Sequence, residues 1–227
     1  GQPPRPGNIS LAHHGVLMMD ELTEFRRTVI ESLREPLETG RITLSRGPYS
    51  ETFPARFLLV ATMNPCPCGN LGDPARACRC TPAQIRRYQA RLSGPLLERF
   101  DLGIEMMREP ARNVPDKAPA PEDSATVARR VQAARQRQLT RQACTNGHLP
   151  VGRFDDCLAL QSDARTLLTQ AADRFGWSWR SQHRVLRVAR TVADLADSAT
   201  VTPAHLAEAM ALRRPLDNLA SAEANPA

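Results

Sequence analysis

Two short apolar runs, each ending in polar side chains, constrain the fold of this chain more than any other feature. The first covers residues 15–19 and ends at Asp20 and Glu21; the second covers residues 57–63 and ends at Asn64. Apolar runs this short, without polar alternation, are typical of strands buried in a parallel sheet. Ligands bind outside the carboxyl ends of such strands. The sequence therefore predicts a site at that edge of a sheet.

A helical pattern and a hairpin lie between the two runs. Apolar residues recur at helical spacing from Leu22 to Leu37, and the pattern stops at Gly40. Two strand-like pieces, 41–46 and 49–53, follow around a Gly-Pro turn and predict a β-hairpin. The order strand, helix, hairpin, strand predicts an open α/β sheet.

The chain divides into four sections by its patterning. Residues 1–108 form the predicted α/β portion, and 109–123 form a proline-rich linker that suits neither a helix nor a strand. Residues 124–219 follow a helical pattern throughout, and 220–227 are expected to be a flexible tail.

Charge and hydropathy set limits on partners. The net charge is +6, and Lys117 is the only lysine, so the other basic residues are all arginine. This bias reflects either a GC-rich gene or a phosphate-rich partner, and it leaves nucleic acid open as a partner. No run of eighteen apolar residues and no signal peptide is present, so we expect a soluble, cytoplasmic protein without a membrane partner.

The acidic pair has the chemistry that nucleotide hydrolysis needs. One carboxylate of Asp20 and Glu21 would hold Mg²⁺, and its neighbour would polarise the attacking water. Taken alone, the pair is better explained as a surface Asp-Glu that begins the predicted helix 23–39. Three further polar residues favour the hydrolytic reading: Asn64 follows the next strand, Arg99 ends a predicted helix, and Arg180 begins an arginine-rich helix.

Four segments resemble the magnesium-chelatase-type AAA+ ATPases, and within them the ComM-like branch: GVLMMDEL, LLVATMNPCPCG, CRCTPAQIRRYQARLSGPLLERFDL and SWRSQHRVLRVARTVADL. The resemblance covers nearly the whole chain apart from the linker and tail. It implies part of a AAA+ P-loop NTPase sheet with a β-hairpin before sensor 1, followed by an all-helical lid domain. It also implies a homo-hexameric ring that hydrolyses ATP with Mg²⁺ and acts on single-stranded or branched DNA during natural transformation.

The resemblance implies a role for each candidate residue of the nucleotide site. Asp20 and Glu21 correspond to the Walker B metal ligand and catalytic base, and Asn64 corresponds to sensor 1. Arg99 corresponds to the arginine finger, which acts in trans on the ATP of the next subunit. Arg180 corresponds to the sensor 2 arginine of the lid and, with Asp20, would contact the bound Mg-nucleotide.

The hairpin resembles the insertion that points into the pore of such rings. Arg46 and Tyr49 flank its turn, so they are candidates for DNA contact through a phosphate and a base face. An ordinary surface hairpin is the alternative.

The chain departs from the family pattern in two places. The P-loop, GxxxxGK[ST], is absent, and Lys117 in the linker does not replace its lysine. We therefore expect a C-terminal portion of a longer protein, inactive by itself as an ATPase. Trp177 and Trp179 are bulkier than the residues usual around the start of the sensor 2 helix.

Four of the six cysteines cluster as Cys66, Cys68, Cys78 and Cys80. Four thiolates suit tetrahedral Zn²⁺, although the C-x-C arms are tighter than the usual C-x₂₋₄-C. We predict a structural zinc site, with free thiols as the alternative.

Two other functions remain open. One is a chelatase-type motor that acts on a protein partner, and the other is a zinc-stabilised nucleic-acid-binding module with no catalysis. The arginine-rich stretch 125–142 is expected to be a solvated helix face in all three cases.

Overall fold

The structure is a computed structural model that describes residues 3–107 and 122–224. The described residues fall into two units. The first unit contains the described residues up to Phe100 together with those from Asp217 onward, and the second unit contains Asp101–Leu216. The predicted proline-rich linker lies outside the described residues except for its last two positions.

Two pairs of strands form in the first unit: β1 Val16–Met19, β2 Arg41–Arg46, β3 Tyr49–Pro54 and β4 Leu58–Ala61. Strands β1 and β4 are parallel, with Val16 opposite Leu58 and Met19 opposite Ala61. Strands β2 and β3 pair antiparallel as a hairpin. The predicted parallel strands and the predicted hairpin are therefore both confirmed.

Burial of the parallel pair differs from the prediction. Met19 faces the interior and is 6% exposed. The side chains of the opposite face are 40–62% exposed, and these are Val16, Met18, Leu58 and Val60. The prediction of strands buried on both faces is wrong for the described residues, because among them only one face of the pair is covered.

The single helix expected between Leu22 and Leu37 is instead three short pieces. These are a 3₁₀ turn Leu22–Glu24 and the helices α2 Arg27–Ser32 and α3 Arg34–Thr39. Pro36 has no N–H to donate to the carbonyl of Ser32 and its ring crowds that carbonyl, which accounts for the break between α2 and α3. Helix α3 ends at Gly40, which has φ of 69°, as the pattern predicted.

Three further helices belong to the first unit: α1 Asn8–Leu11, α4 Pro82–Gln89 and α5 Gly94–Leu97. Helix α4 begins with a complete capping box, in which Thr81 and Gln84 exchange hydrogen bonds. The core of the unit is made of fully buried aliphatic side chains, namely Leu22, Ile30, Leu33, Leu96 and Leu97.

The second unit is helical, as predicted: α6 Ser124–Gln142, α7 Phe154–Leu158, α8 Ser162–Phe175, α9 Trp179–Leu195 and α10 Pro203–Ala224, with 3₁₀ turns at Asn146–His148 and Val151–Arg153. Helix α10 continues to Ala224, so it extends into the stretch predicted to be a flexible tail.

A buried charge network holds this unit together. Arg190 and Asp194 are each 1% exposed, and Arg190 Nη2 lies 2.9 Å from Asp194 Oδ1. Arg141 donates to the same carboxylate at 2.7 Å, and Asn146 Nδ2 donates to its other oxygen at 2.8 Å. Burial raises the pKa of Asp194, but hydrogen bonds from Arg141 and Asn146 and the charge of Arg190 outweigh it, so the net shift is downward.

A search of the described helices for a segment of membrane-spanning length and hydropathy found none.

Candidate functional site

The register of the parallel pair brings the acidic residues beside Thr62. Asp20 follows Met19, and Thr62 follows Ala61, the residue opposite Met19. The Thr62 hydroxyl donates to Asp20 Oδ1 at 2.5 Å and accepts from the Glu21 N–H at 2.9 Å. Our sequence analysis missed Thr62. Aligning the ends of the two apolar runs would have placed Asn64 level with Asp20, and only the observed register, with Met19 opposite Ala61, places Thr62 there.

Glu21 adopts a left-handed backbone conformation, with φ of 52° and ψ of 52°. This region costs a non-glycine residue of order 1–3 kcal/mol, so neighbouring contacts must hold it. Thr62 supplies them, since its hydroxyl binds the Glu21 N–H and its carbonyl accepts the Leu22 N–H at 2.8 Å. The conformation of the candidate base is therefore fixed by the neighbouring strand.

Helix α4 and the residues after it form hydrogen bonds with the segments that follow β1 and β4. Thr23 is fully buried, and its hydroxyl donates to the Tyr88 hydroxyl at 2.5 Å. Arg91 donates to the Thr23 carbonyl at 2.5 Å, and Gln89 donates to the Pro65 carbonyl at 3.0 Å. The segments that follow β1 and β4 are thus both fastened to the same helical region.

Asn64 lies at the same edge, two residues beyond Thr62. Its side chain is exposed, and within the part of the chain that the structure describes its amide makes no hydrogen bond. An exposed amide two residues from Thr62 can orient a water molecule, as a sensor 1 residue does. Arg180, in contrast, belongs to the second unit, where it is exposed in the first turn of α9.

Arg99 is held within its own unit. Its side chain is only 8% exposed and forms an ion pair with Glu38. Its guanidinium also donates to the carbonyls of Arg34 and Pro95. To act as an arginine finger on another subunit, the Arg99 guanidinium would have to leave Glu38.

The hairpin places Arg46 and Tyr49 opposite each other at its tip. Gly47 in the turn has φ of 58°, which a side chain would disfavour. Both flanking side chains are exposed, so the tip presents a cation beside an aromatic ring.

The four cysteines of the loop between β4 and α4 converge on one point. Their Sγ atoms all lie within 4.8 Å of one another, and the three pairs among Cys66, Cys68 and Cys78 are 3.5, 3.7 and 3.6 Å apart. All four, including Cys80, are free thiols. Four sulfurs bound to zinc at about 2.3 Å in a tetrahedron lie roughly 3.8 Å apart, so this spacing fits Zn²⁺.

The thiols of this cluster differ in acidity. Backbone N–H groups of Arg79 and Asn70 lower the pKa of Cys68 to about 6. Burial, together with the neighbouring Cys68 thiol, raises the pKa of Cys80 to about 12. Zn²⁺ binds cysteine as the thiolate, so a divalent cation bound here would displace the remaining thiol protons.

The fold and site define a class. A parallel strand pair with carboxylates at its edge, a hairpin before the second strand and a helical C-terminal unit agree with a AAA+-type fragment. Residues 1–114 match the family model for magnesium chelatase, subunit ChlI, and residues 121–213 match the model for the C-terminal part of that subunit. The chain belongs to the magnesium chelatase family.

Similar proteins occur in several bacteria. The chain is 46% identical over 213 residues to YifB of Escherichia coli strain K12, and 44% identical over 214 residues to competence protein ComM of Haemophilus influenzae. It is 39% identical over 212 residues to Rv2897c of Mycobacterium tuberculosis. The first two alignments cover 94% of this chain and the third 92%, but the chain spans only 42% of the length of each relative.

Proposed function

We propose that this chain supplies the hydrolytic edge of a AAA+ ATPase, a homo-hexameric ring motor that acts on single-stranded or branched DNA. The proposal rests on the two hydrogen bonds of the Thr62 hydroxyl, one with the Asp20 carboxylate and one with the Glu21 N–H. Two carboxylates fixed at the carboxyl edge of a parallel pair are what phosphoryl transfer to water requires.

The two carboxylates have different tasks. Asp20 Oδ1 is engaged by Thr62, so Oδ2 is left to bind Mg²⁺ directly or through water. Mg²⁺ held by Asp20 would neutralise negative charge on the phosphates of the nucleotide. Glu21, held in its left-handed conformation, accepts a proton from the attacking water. Asn64 orients that water from the end of the neighbouring strand.

The rest of the nucleotide site comes from elsewhere. The 227 residues contain no GxxxxGK[ST], so the proposal requires that a P-loop be supplied by protein outside them. Arg99 would reach the nucleotide of the next subunit after release from Glu38, and Arg180 would contact the nucleotide from the helical lid.

DNA as the substrate is supported by two observations. One relative is named a competence protein, and the family resemblance of the sequence implies branch migration of DNA in natural transformation. The exposed Arg46 and Tyr49 at the hairpin tip have the chemistry to contact a phosphate and a base.

The loop after sensor 1 is proposed to hold a structural zinc. Cys66, Cys68, Cys78 and Cys80 fit its tetrahedral spacing. Zinc there would cross-link a loop that ends at Thr81, the N-cap of α4. It would therefore stabilise the position of α4, whose Tyr88 hydroxyl accepts a hydrogen bond from Thr23.

ATP hydrolysis by the complete polypeptide, measured with and without DNA, separates the three candidate functions. We expect hydrolysis that both single-stranded and branched DNA stimulate. Hydrolysis that DNA leaves unchanged would point to a motor acting on a protein partner. DNA binding without any hydrolysis would point to a nucleic-acid-binding module and contradict the proposal.

A further inference from the structure

A group of exposed aromatic rings lies where α8 ends and α9 begins, and the proposed ATP hydrolysis makes no use of it. Trp179 is 75% exposed and Phe175 is 52% exposed. Tryptophan is highly buried on average in folded proteins, and exposed apolar surface of this kind marks interaction sites. We refer to Phe175, Trp177, Trp179 and His183 as the aromatic surface.

The rings of the aromatic surface form two neighbouring pairs. Phe175 and Trp177 have centroids 5.5 Å apart at 32°, and Trp179 and His183 have centroids 6.0 Å apart at 39°. The buried Phe154 meets the edge of His183 at 5.2 Å. Trp177 also packs against the core of the unit, so each pair has one ring anchored inside and one ring open to solvent.

Hydrogen bonds order the backbone of the connection that carries these rings. Gly176 ends α8 in the left-handed conformation, with φ of 64°. The Ser178 hydroxyl caps α9 by accepting the Ser181 N–H at 3.2 Å, and the Trp177 N–H donates to the Ala172 carbonyl at 3.0 Å. A surface that is ordered before binding loses little conformational entropy when a ligand arrives.

Arginine is frequent around the rings. Residues 174–187 contain four arginines and no carboxylate, with Asp173 just before this segment and Arg184 paired with Asp101 at 2.6 Å. Arg174 is exposed, lies 5.6 Å from the Phe175 ring centroid and forms no ion pair with any residue that the structure describes. Burial, followed by the charge of Arg187, lowers the pKa of His183, so its ring is neutral at pH 7. The surface therefore combines flat neutral rings with cationic guanidinium groups.

We propose that the aromatic surface binds single-stranded nucleic acid, with bases stacked on Trp179 and Phe175 and phosphates paired with Arg174. Stacking on aromatic rings beside arginines is how sequence-independent single-strand sites work. A second copy of the chain fits less well, because the acid-free segments of both copies would bring like charges together. The proposal names a second contact for the nucleic-acid partner in the proposed function, but it does not depend on ATP hydrolysis.

The two tryptophans make the proposal directly measurable, because Trp177 and Trp179 are the only ones in the chain. We expect an oligothymidine added to the 227-residue chain, without ATP, to quench tryptophan emission to saturation, and added salt to weaken the effect. Trp179→Ala should remove most of the quenching and weaken binding about 5- to 100-fold. Trp179→Phe, which keeps a stacking ring, should retain binding.

The matched control is Leu195→Ala, which removes an exposed apolar side chain, 41% exposed, from the other end of α9. It should bind oligothymidine as the unsubstituted chain does. Unchanged emission on oligothymidine binding would overturn the proposal, since the strand would then lie elsewhere. Quenching of the same size by ATP would also overturn it, as would an emission change that depends on the protein concentration and not on the oligothymidine. Quenching in a protein that hydrolyses no ATP would leave this proposal intact while the proposed function fails.

Discussion

The hydroxyl group of Thr62 couples two residues whose chemistry differs. It donates to the Asp20 carboxylate and accepts from the Glu21 N–H, so one side chain contacts both the proposed metal ligand and the backbone of the proposed base. A hydrogen-bonded partner of a metal-binding carboxylate orients that ligand. Thr62 is therefore a positioning residue in this account.

Thr62→Val removes the hydroxyl and keeps the shape of the side chain. We expect the ATP turnover of the complete polypeptide to fall about 10- to 100-fold, the usual cost of losing such a partner. Thr62→Ser should restore most of the rate because it keeps the hydroxyl. Thr52→Val serves as control, since its hydroxyl contacts only Thr43 in the hairpin. Equal rates for Thr62→Val and the unsubstituted protein would remove Thr62 from the mechanism.

Asp194 neutralises two arginines in the second unit, so its loss leaves buried charge without compensation. Asp194→Asn should lower the free energy of unfolding by about 3–5 kcal/mol in urea denaturation. Asp197→Asn is the matched control, because Asp197 is 74% exposed and pairs with Arg137 at the surface; it should cost less than about 1 kcal/mol. Similar values for the two variants would contradict the network.

The same network predicts a pH dependence. The folded-state pKa of Asp194 is lower than its usual value. The stability that its ionised form contributes is fully present above the unfolded-state pKa, about 3.9, and is lost as the pH falls through the lower folded-state pKa. Asp194→Asn should therefore remove part of the stability loss seen in urea unfolding below about pH 4.

At the scale of elements, the cysteine loop connects the sensor strand to the helix that supports the acidic pair. We expect about one zinc per chain by metal analysis. Removal by a chelator should lower the midpoint of thermal unfolding by more than about 4 °C, which corresponds to at least roughly 1 kcal/mol. Cys66→Ser should abolish zinc binding, whereas Cys144→Ser, outside the cluster, should not. Zinc-free protein with an unchanged midpoint would favour free thiols.

The hairpin is the element that decides between DNA and a protein partner. Arg46→Ala removes a cation from its tip and should reduce the salt slope of DNA binding by about one. DNA stimulation of ATP hydrolysis should weaken with it. Arg41→Ala, at the base of the same hairpin, is the control of equal charge. If both variants bind DNA alike, the tip has no special role.

Sequence patterns predicted the elements whose signals are local. The first apolar run located the end of β1, the second extended two residues beyond β4, which ends at Ala61, and the Gly-Pro turn located the hairpin. The broken helix was missed because the apolar spacing was followed through Pro36. The role of Thr62 depends on strand register, and the Arg99–Glu38 ion pair joins residues 61 positions apart, so neither has a local signal. Burial of β1 and β4 was overestimated because apolar composition does not reveal what covers a strand.

For the whole molecule, we propose that this chain provides the hydrolytic residues of an ATP site, and that the P-loop of the site lies in protein outside these 227 residues. Asp20, Glu21 and Asn64 lie at one edge of one unit, Arg99 is held by Glu38, and Arg180 is exposed in the other unit. The chain spans 42% of the length of its YifB and ComM relatives, so the activity has to be measured on a polypeptide that also carries a P-loop.

The most direct test of the central claim is the rate of ATP hydrolysis by the Glu21→Gln variant of that polypeptide. We expect a rate at least about 100-fold lower, because a general base contributes that much, with ATP binding retained. Glu24→Gln, which removes an exposed carboxylate three residues later, should hydrolyse ATP normally. A Glu21→Gln variant that hydrolyses ATP as fast as the Glu24→Gln control would contradict the account.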